Sequence, residues 1–261
     1  MPDELVHLRV DHGVATITLD SQHNRNALSR QLRRELAAHL TTAKTADDVR
    51  VIVLTHTSTV FCAGADLTEA RDGDAAAEAA TVALPDILTT LMTGPTPVVA
   101  RVAGAARAGG IGLIAACDIA LASASATFAL TEVRIGVVAA VISVPLLPRL
   151  VPRAAQELFL TGQTFDAERA AAAGVLTHAV PDADLDAQVA RYTDLLSSGA
   201  PTAMAATRRL LSATTGDEGE LRARFAAMDA LSRQHFASAE AAEGIAAFRQ
   251  KRPPAWLPRP R

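Results

Sequence analysis

The sequence predicts an α/β protein in which a largely parallel sheet is followed by a layer of helices. Short β-branched segments alternate with helical segments in the first part of the chain, which is the pattern of stacked β-α units. Beyond residue 182 the apolar periodicity is instead that of helices, as far as residue 249. These two observations divide the chain into a core domain, residues 1–195, and a C-terminal helical region, residues 196–261.

Composition excludes several classes of protein. Of the 261 residues, 49% are hydrophobic and 20% are charged, which indicates a folded globular chain rather than a disordered one. The net charge of −3 argues against nucleic acid or an anionic membrane surface as a partner. The first residues, MPDELVHLRV, lack the pattern of a secretion signal, and Cys62 and Cys117 lie in apolar surroundings typical of buried free thiols. We therefore expect a cytoplasmic protein.

The first elements follow from local patterns. Leu5 to Val10 and Val14 to Leu19 alternate apolar and polar residues around a turn, which predicts a β-hairpin. Ser29 is a suitable N-cap for a helix that ends near Lys44. The β-branched run from Val49 to Thr55 predicts a buried strand.

The middle of the chain combines a strand, a glycine turn and a helix. Thr68 to Ala80 is acidic and alanine-rich, which favours a loop or a loosely held helix, and Thr81 to Met92 predicts a helix. The stretch from Val98 to Leu121 begins as a strand, passes through Gly109 and Gly110 into a short apolar helix, and continues as a second strand after Asp118. We expect this stretch to organise the fold.

The last part of the chain is read as consecutive helices. Their predicted spans are residues 153–160, 166–173, 182–198, 201–212, 218–236 and 238–249. They follow an α/β core, so we expect them to pack on that core or on a second subunit.

Two turns of similar composition mark a candidate site. Ala63-Gly64-Ala65 and Ala108-Gly109-Gly110 both follow strands, and the carboxyl ends of parallel strands meet at one edge of a sheet. If the turns converge, two backbone N–H groups can hold one oxygen that develops negative charge. Alternatively, the glycines only make tight turns from strand to helix. Asp66 likewise has a local alternative, as a helix N-cap.

At these residues the sequence resembles the crotonase superfamily of enoyl-CoA hydratases and isomerases. The likeness covers nearly the whole chain, and its motifs are Asn26-Ala27-Leu28, FCAGADL at 61–67, AGGIGLIAACDIAL at 108–121, residues 128–136, and AEGIAAFRQKRPPAW at 242–256. The resemblance implies a crotonase (ClpP-like) fold of repeated β-β-α units. It also implies that residues 196–261 form an oligomerisation layer that builds a homotrimer or a dimer of trimers.

The resemblance implies catalytic roles for three residues. The amides of Ala65 and Gly109 would hold the thioester oxygen of an acyl-CoA, with Gly110 as the alternative to Gly109. Glu132 matches one of the two glutamates that hold water in the family's hydratases, whereas the other position is Gly112 and carries no side chain. Without the resemblance, Glu132 would be read as a solvated residue or as the ion-pair partner of Arg134.

One glutamate is compatible with two reactions. It can add water across a 2-enoyl-CoA, or it can move a proton between C2 and C4 and so shift the double bond. Residues 110–113 and 131–136 look most like the hydratases of branched or methylglutaconyl-type substrates, so we favour hydration. Arg134 would then face a distal carboxylate or form a structural ion pair. A further alternative is a non-catalytic protein that binds acyl-CoA.

The resemblance also implies the residues that contact the substrate. Asn24 and Arg25 would lie along the nucleotide, and Lys251 and Phe248 match a tail that reaches the nucleotide of a neighbouring subunit, although these residues could equally form a solvated surface. The full implied set is Asn24, Arg25, Ala27, Ala63, Gly64, Ala65, Asp66, Leu67, Gly109, Gly110, Phe248 and Lys251. We expect no metal and no cofactor apart from the coenzyme A of the substrate.

Overall fold

Two sheets form the centre of the protein. The computed structural model describes residues 4–69, 82–213 and 216–258. The larger sheet has six strands in the order β1-β2-β3-β5-β7-β10, and the smaller has four in the order β4-β6-β8-β9. Their bounds are β1 Val6–Asp11, β2 Val14–Leu19, β3 Val51–His56, β4 Val60–Cys62, β5 Val98–Val102, β6 Ala105–Arg107, β7 Ile119–Ser123, β8 Thr127–Ala129, β9 Phe165–Asp166 and β10 His178–Val180.

The larger sheet agrees with the sequence-based expectation. β1 and β2 form the predicted antiparallel hairpin, and β2, β3, β5, β7 and β10 run parallel. Every residue of β3 is buried, because helices cover both faces of the sheet. On one face, Val51 and Val53 pack with Leu185 and Val189 of a covering helix, and the main core lies on the other face.

The smaller sheet was not predicted. Its strands are two or three residues long, too short for an alternation of apolar and polar residues to be visible in the sequence. β4, β6 and β8 are parallel neighbours, and β9 closes the sheet in the antiparallel sense. Both glycine turns therefore leave strands of this second sheet rather than of the larger one.

The helices follow the predicted spans closely. They are α1 Arg30–Thr45, α2 Leu84–Met92, α3 Gly109–Ala116, α4 Ala140–Leu146, α5 Pro152–Thr161, α6 Ala167–Ala173, α7 Leu185–Ser197, α8 Pro201–Ala213, α9 Glu218–Phe236 and α10 Ala239–Arg249. Ser29 caps α1 as predicted, since its hydroxyl accepts from Leu32 N. α4 was not predicted, because its sequence is apolar on nearly every side. The predicted loop at Thr68–Ala80 falls largely on residues 70–81, outside the described residues.

The C-terminal helices pack on the core of their own chain. Leu221 and Phe225 of α9 are buried in the same apolar cluster as the larger sheet. α10 contacts the 3-10 helix Glu132–Ile135, where Gly244 lies against the backbone of Ile135. The proposed boundary at residue 195 lies within the last turn of α7, and the oligomerisation role of residues 196–261 stays a prediction. None of the helices in the described ranges combines the length and apolar character that a bilayer crossing needs.

Candidate active site

The two glycine turns converge, which is the condition on which the candidate site depends. Ala63–Ala65 follows β4, Ala108–Gly110 follows β6, and these strands are parallel neighbours. A Cβ atom built on Gly109 would lie 3.9 Å from the Cα of Gly64, and one built on Gly64 would lie 2.9 Å from the Cβ of Ala108. Gly64 also has a φ of +91°, a backbone angle that residues with a side chain rarely adopt. Glycine therefore lets the two turns approach closely.

Each turn presents an unused amide. No described residue accepts a hydrogen bond from Ala65 N or from Gly109 N. Ala65 is exposed, and Gly109 is the first residue of α3, where the helix leaves amides without internal partners and carries partial positive charge. Ala108 precedes it with a left-handed φ of 49°, and its own N–H donates to Ala129 O at 3.1 Å. The arrangement suits an oxygen that gains negative charge.

A separate segment, residues 24–28, is paired along the first turn. Ala63 N donates to Arg25 O at 3.1 Å, and Leu28 N donates to Gly64 O at 2.8 Å. Ala27 and Leu28 are buried, while Arg25 is exposed. Thus Ala27 and Leu28 support the turn as packing residues, and only Arg25 of these three is open to solvent.

Asp66 and Asn24 extend this pairing through their side chains. Asp66 Oδ1 accepts from Thr68 N at 2.9 Å and from Thr68 Oγ1 at 2.6 Å, and Asp66 Oδ2 accepts from Asn24 Nδ2 at 3.0 Å. Burial raises the pKa of Asp66, but the hydrogen bonds from Thr68 and Asn24 outweigh it and hold the pKa below its ordinary value. The carboxylate thus has partners within the protein, and the helix that it was alternatively expected to cap would fall largely on residues outside the described ranges. Leu67 beside it is half-buried.

Glu132 is the most perturbed acid of this region. It begins the 3-10 helix Glu132–Ile135, and its Oε2 is buried with no hydrogen-bond partner among the described residues. Burial raises the pKa of Glu132 to about 7, although a hydrogen bond with its own backbone lowers it in part. Arg134 does not pair with it, because Arg134 Nε instead donates to Thr161 O at 3.1 Å. The carboxyl group is therefore able to take and return protons near neutral pH.

Ile142 occupies the space next to Gly112. A Cβ on Gly112 would lie 2.5 Å from Ile142 Cγ2 and 3.0 Å from Ile142 Cβ, closer than real side-chain atoms approach. Ile142 belongs to α4 and is 3% exposed. Nothing in the local sequence indicates this contact, which depends on how α4 packs against α3. An acidic side chain at position 112 does not fit this backbone.

The outer residues of the predicted site are less closely tied to it. Phe248 is 60% exposed, and Lys251 follows α10 with a left-handed φ of 52°. The tail after α10 is held by Arg252, which makes two hydrogen bonds to Glu243. Arg107 joins β6 to β8, because its guanidinium group donates to Thr127 O and Thr127 Oγ1.

Comparison with known proteins gives a consistent result. A family model described as enoyl-CoA hydratase/isomerase matches residues 9–259. The crystal structure of an enoyl-CoA hydratase from Mycobacterium avium is 40% identical, with a TM-score of 0.86 over 98% of this chain and 100% of that one. The mevalonyl-coenzyme A hydratase of Beauveria bassiana is 32% identical over 93% of this chain and 91% of its own length. The mitochondrial methylglutaconyl-CoA hydratase of Mus musculus is 29% identical over 95% of this chain and 82% of its own length.

These matches span nearly the whole chain, and the fold they share is the one described above. The fold contains convergent glycine turns, a short helix that begins at one of them, and a glutamate whose Oε2 is buried, and their roles in a site stay a prediction. The chain belongs to the enoyl-CoA hydratase/isomerase family, that is, to the crotonase superfamily.

Proposed function

We propose that the protein adds water across the 2,3 double bond of a 2-enoyl-CoA. The observation that carries this proposal is the buried, unpartnered Oε2 of Glu132 together with the unused amides of Ala65 and Gly109. A folded protein rarely leaves a buried polar atom such as Glu132 Oε2 without a partner, and a ligand at the site would supply one. Relatives named as CoA hydratases support the same class of substrate.

In the proposed reaction, the two amides hold the thioester oxygen. Glu132 takes a proton from water as the water oxygen bonds to C3, and the electron pair of the C2–C3 double bond moves toward the thioester oxygen. Glu132 then returns a proton to C2 as the thioester carbonyl re-forms. Water is added, the carboxylate is regenerated, and one oxyanion donor contributes roughly 2.7–4 kcal/mol to lowering the barrier.

In this proposal coenzyme A is the part of the substrate by which the protein binds it, and neither a metal nor a redox cofactor takes part. The backbone of residues 63–67 and 109–110 would surround the thioester. Arg25 and Lys251 are exposed cations suited to the phosphates. Assembly as a homotrimer or a dimer of trimers remains part of the proposal, supported by apolar side chains that the C-terminal helices leave exposed, such as Leu210 at 71%.

A second candidate is an isomerase that converts a 3-enoyl-CoA into a 2-enoyl-CoA. The packing of Ile142 against Gly112 favours it, because a second carboxylate at position 112, which could help to hold water, would collide with Ile142. Glu132 alone would remove a proton from C2 and return it to C4. The oxyanion site would act in the same way in both reactions.

The test is to incubate the protein separately with crotonyl-CoA and with a straight-chain 3-enoyl-CoA. Hydration predicts loss of the conjugated enoyl absorbance of crotonyl-CoA and a product heavier by one water in mass spectrometry. Isomerisation predicts that this absorbance appears from the 3-enoyl-CoA without a change of mass. Acyl-CoA binding without either product would contradict both candidates and leave a binding protein.

A further inference from the structure

We propose that Asp66 and Asn24 form a positioning pair that fixes the Ala65 amide in the oxyanion site. The inference rests on the proposed function and assigns neither side chain to the substrate. The bond between Asn24 Nδ2 and Asp66 Oδ2 joins the segment 24–28 to the turn that carries Ala65. Asp66 directly follows Ala65 in the chain. A shift in the backbone of Asp66 would therefore move Ala65 and reorient its N–H group.

The backbone conformation of residues 24–28, the segment that holds the turn, is fixed by its own contacts. Arg25 and Asn26 both adopt left-handed φ angles, of 59° and 54°, which non-glycine residues adopt only when surrounding contacts hold them. Buried Asn26 supplies such contacts, because its Oδ1 accepts from Ser21 N at 2.6 Å and its Nδ2 donates to Val60 O at 2.9 Å. The bonds of Asn26 to Ser21 and Val60 thus fix the conformation of residues 24–28.

Backbone pairing and one side-chain bond hold the turn to this segment. Ala63 N donates to the segment, Leu28 N donates to the turn, and Leu28 pairs with Ala65 as an isolated parallel bridge. The bond from Asn24 to Asp66 is the side-chain link at the residue after Ala65. Without it, the Asp66 carboxylate keeps its bonds to Thr68 and to the backbone of Glu69, residues that follow it on its own side of the turn.

Both side chains of the pair already make hydrogen bonds within the protein. Asn24 Oδ1 accepts from Ser21 Oγ at 2.7 Å while its Nδ2 donates to Asp66. Both oxygens of Asp66 accept bonds within the protein. A carboxylate next to an oxyanion site also opposes the negative charge that develops there, so charge alone gives no reason to place Asp66 here.

Three variants test the pair: Asp66→Asn, Asn24→Asp and the two changes combined. Asp66→Asn places two amides face to face, and Asn24→Asp places two carboxylates face to face. The combined variant exchanges donor and acceptor, so that an amide at 66 donates to a carboxylate at 24 and Ser21 Oγ still donates to residue 24. Asp182→Asn is the matched control, because Asp182 also accepts a backbone bond, from Ser125 N, in an exposed turn.

On the enoyl-CoA that the wild-type protein turns over, we expect each single variant to lower kcat about tenfold, a part of the effect of losing an oxyanion donor. KM should stay within about twofold, and the combined variant should recover most of kcat. A faster Asp66→Asn enzyme would show that the charge matters and the position does not. A rise in KM alone would show that the side chains contact the substrate, and lack of recovery in the combined variant would overturn the pair.

Backbone hydrogen exchange provides a readout that does not depend on turnover. In peptides that cover residues 61–68, exchange should be faster in each single variant and should return toward the wild-type rate in the combined one. Peptides that cover β5 should not change. If the wild-type protein turns over no enoyl-CoA, the proposed function fails, but this exchange pattern still decides whether the pair holds the turn. Equal exchange in all four proteins would overturn the inference.

Discussion

The two ends of α3 treat their polar groups in opposite ways. At the first end, the Gly109 amide has no acceptor among the described residues, and Ala65 N beside it is equally unused. At the other end, Asp118 accepts from Val98 N at 2.7 Å and from Arg208 Nε at 3.0 Å. Arg208 is 7% exposed and also donates to the carbonyls of Leu91 and Gly94.

The same contrast separates two acids, Glu132 and Asp118. Asp118 has a cation and a backbone amide as partners, whereas the buried Oε2 of Glu132 has no partner in the described part of the chain. The ion pair between exposed Asp118 and buried Arg208 supports the fold, whereas a buried polar atom without a partner lowers stability until a ligand arrives. One end of the helix thus serves stability, and under the proposed function the other end receives the substrate.

Replacement of Glu132 should give the largest effect on activity. We expect Glu132→Gln to lower kcat about 10²- to 10⁴-fold, because the amide cannot exchange protons. Wild-type kcat/KM should rise with pH through about 7, as the carboxylate ionises, and this limb should be absent from the residual activity of the variant. Glu157→Gln, at an exposed glutamate paired with Arg169, is the control and should leave the rate unchanged.

Stability should move in the opposite direction in the same variant. The folded-state pKa of Glu132 is raised, so its contribution to stability is present below about 4.5 and is lost as pH rises through about 7. Above pH 7 the protein must bury an ionised carboxylate, and Glu132→Gln removes that penalty. Thermal unfolding at pH 8 should therefore give a higher Tm for the variant. A lower Tm would show that Glu132 is a structural residue, like Asp118.

Replacement of Arg208 should destabilise the C-terminal end of α3 without changing the turns at its N-terminal end. Arg208→Met leaves the carbonyls of Leu91 and Gly94 without their donor, and we expect a loss of about 3 kcal/mol in the free energy of unfolding. Urea denaturation measures this loss. Arg209→Met at the exposed neighbouring residue is the control and should change stability by less than about 0.5 kcal/mol. A large loss of kcat in folded Arg208→Met would contradict the separation of the two ends.

Crowding at Gly112 should have a smaller effect. Gly112→Ala forces a methyl group against Ile142 and should cost about 1–3 kcal/mol, offset in part by the better helix propensity of alanine. Ile142→Ala leaves a cavity, but the combined variant should lose less stability than the sum of the single changes, because the contact is removed. Additive losses in urea denaturation would contradict the packing of these two residues.

Lys44 should give an effect that is confined to alkaline pH. Its ammonium group donates to Thr90 O and Thr93 O, at the C-terminal end of α2. Burial and the nearby Arg208 lower the pKa of Lys44 to about 8. An unfolded lysine keeps its proton to higher pH, so the free energy of unfolding should rise between pH 8 and about 10.5. Unfolding curves of Lys44→Met across this range should lack that rise, and an equal rise in both proteins would contradict the assignment.

Sequence patterns predicted the long elements well and the short ones poorly. The hairpin, the Ser29 cap and the helix at residues 218–236 depend on periodicity or on a single capping residue, and each was found. The strand β4 and the helix α4 were missed, because a short apolar segment has no periodicity that separates strand from helix. The second sheet, which carries both glycine turns, therefore came from tertiary packing.

The sequence by itself determined the chemical groups of the candidate site: two glycine turns that follow strands, and the glutamate at position 132. It did so because a glycine turn depends on the residues of the turn itself. The resemblance identified which glutamate belongs to the site. Only the tertiary structure decided that Ile142 fills the space beside Gly112, that Asn24 is bonded to Asp66, and that Glu132 Oε2 is buried with no partner among the described residues. Each of these depends on contacts between segments far apart in the chain, and local sequence carries no record of which distant residue will occupy a given space.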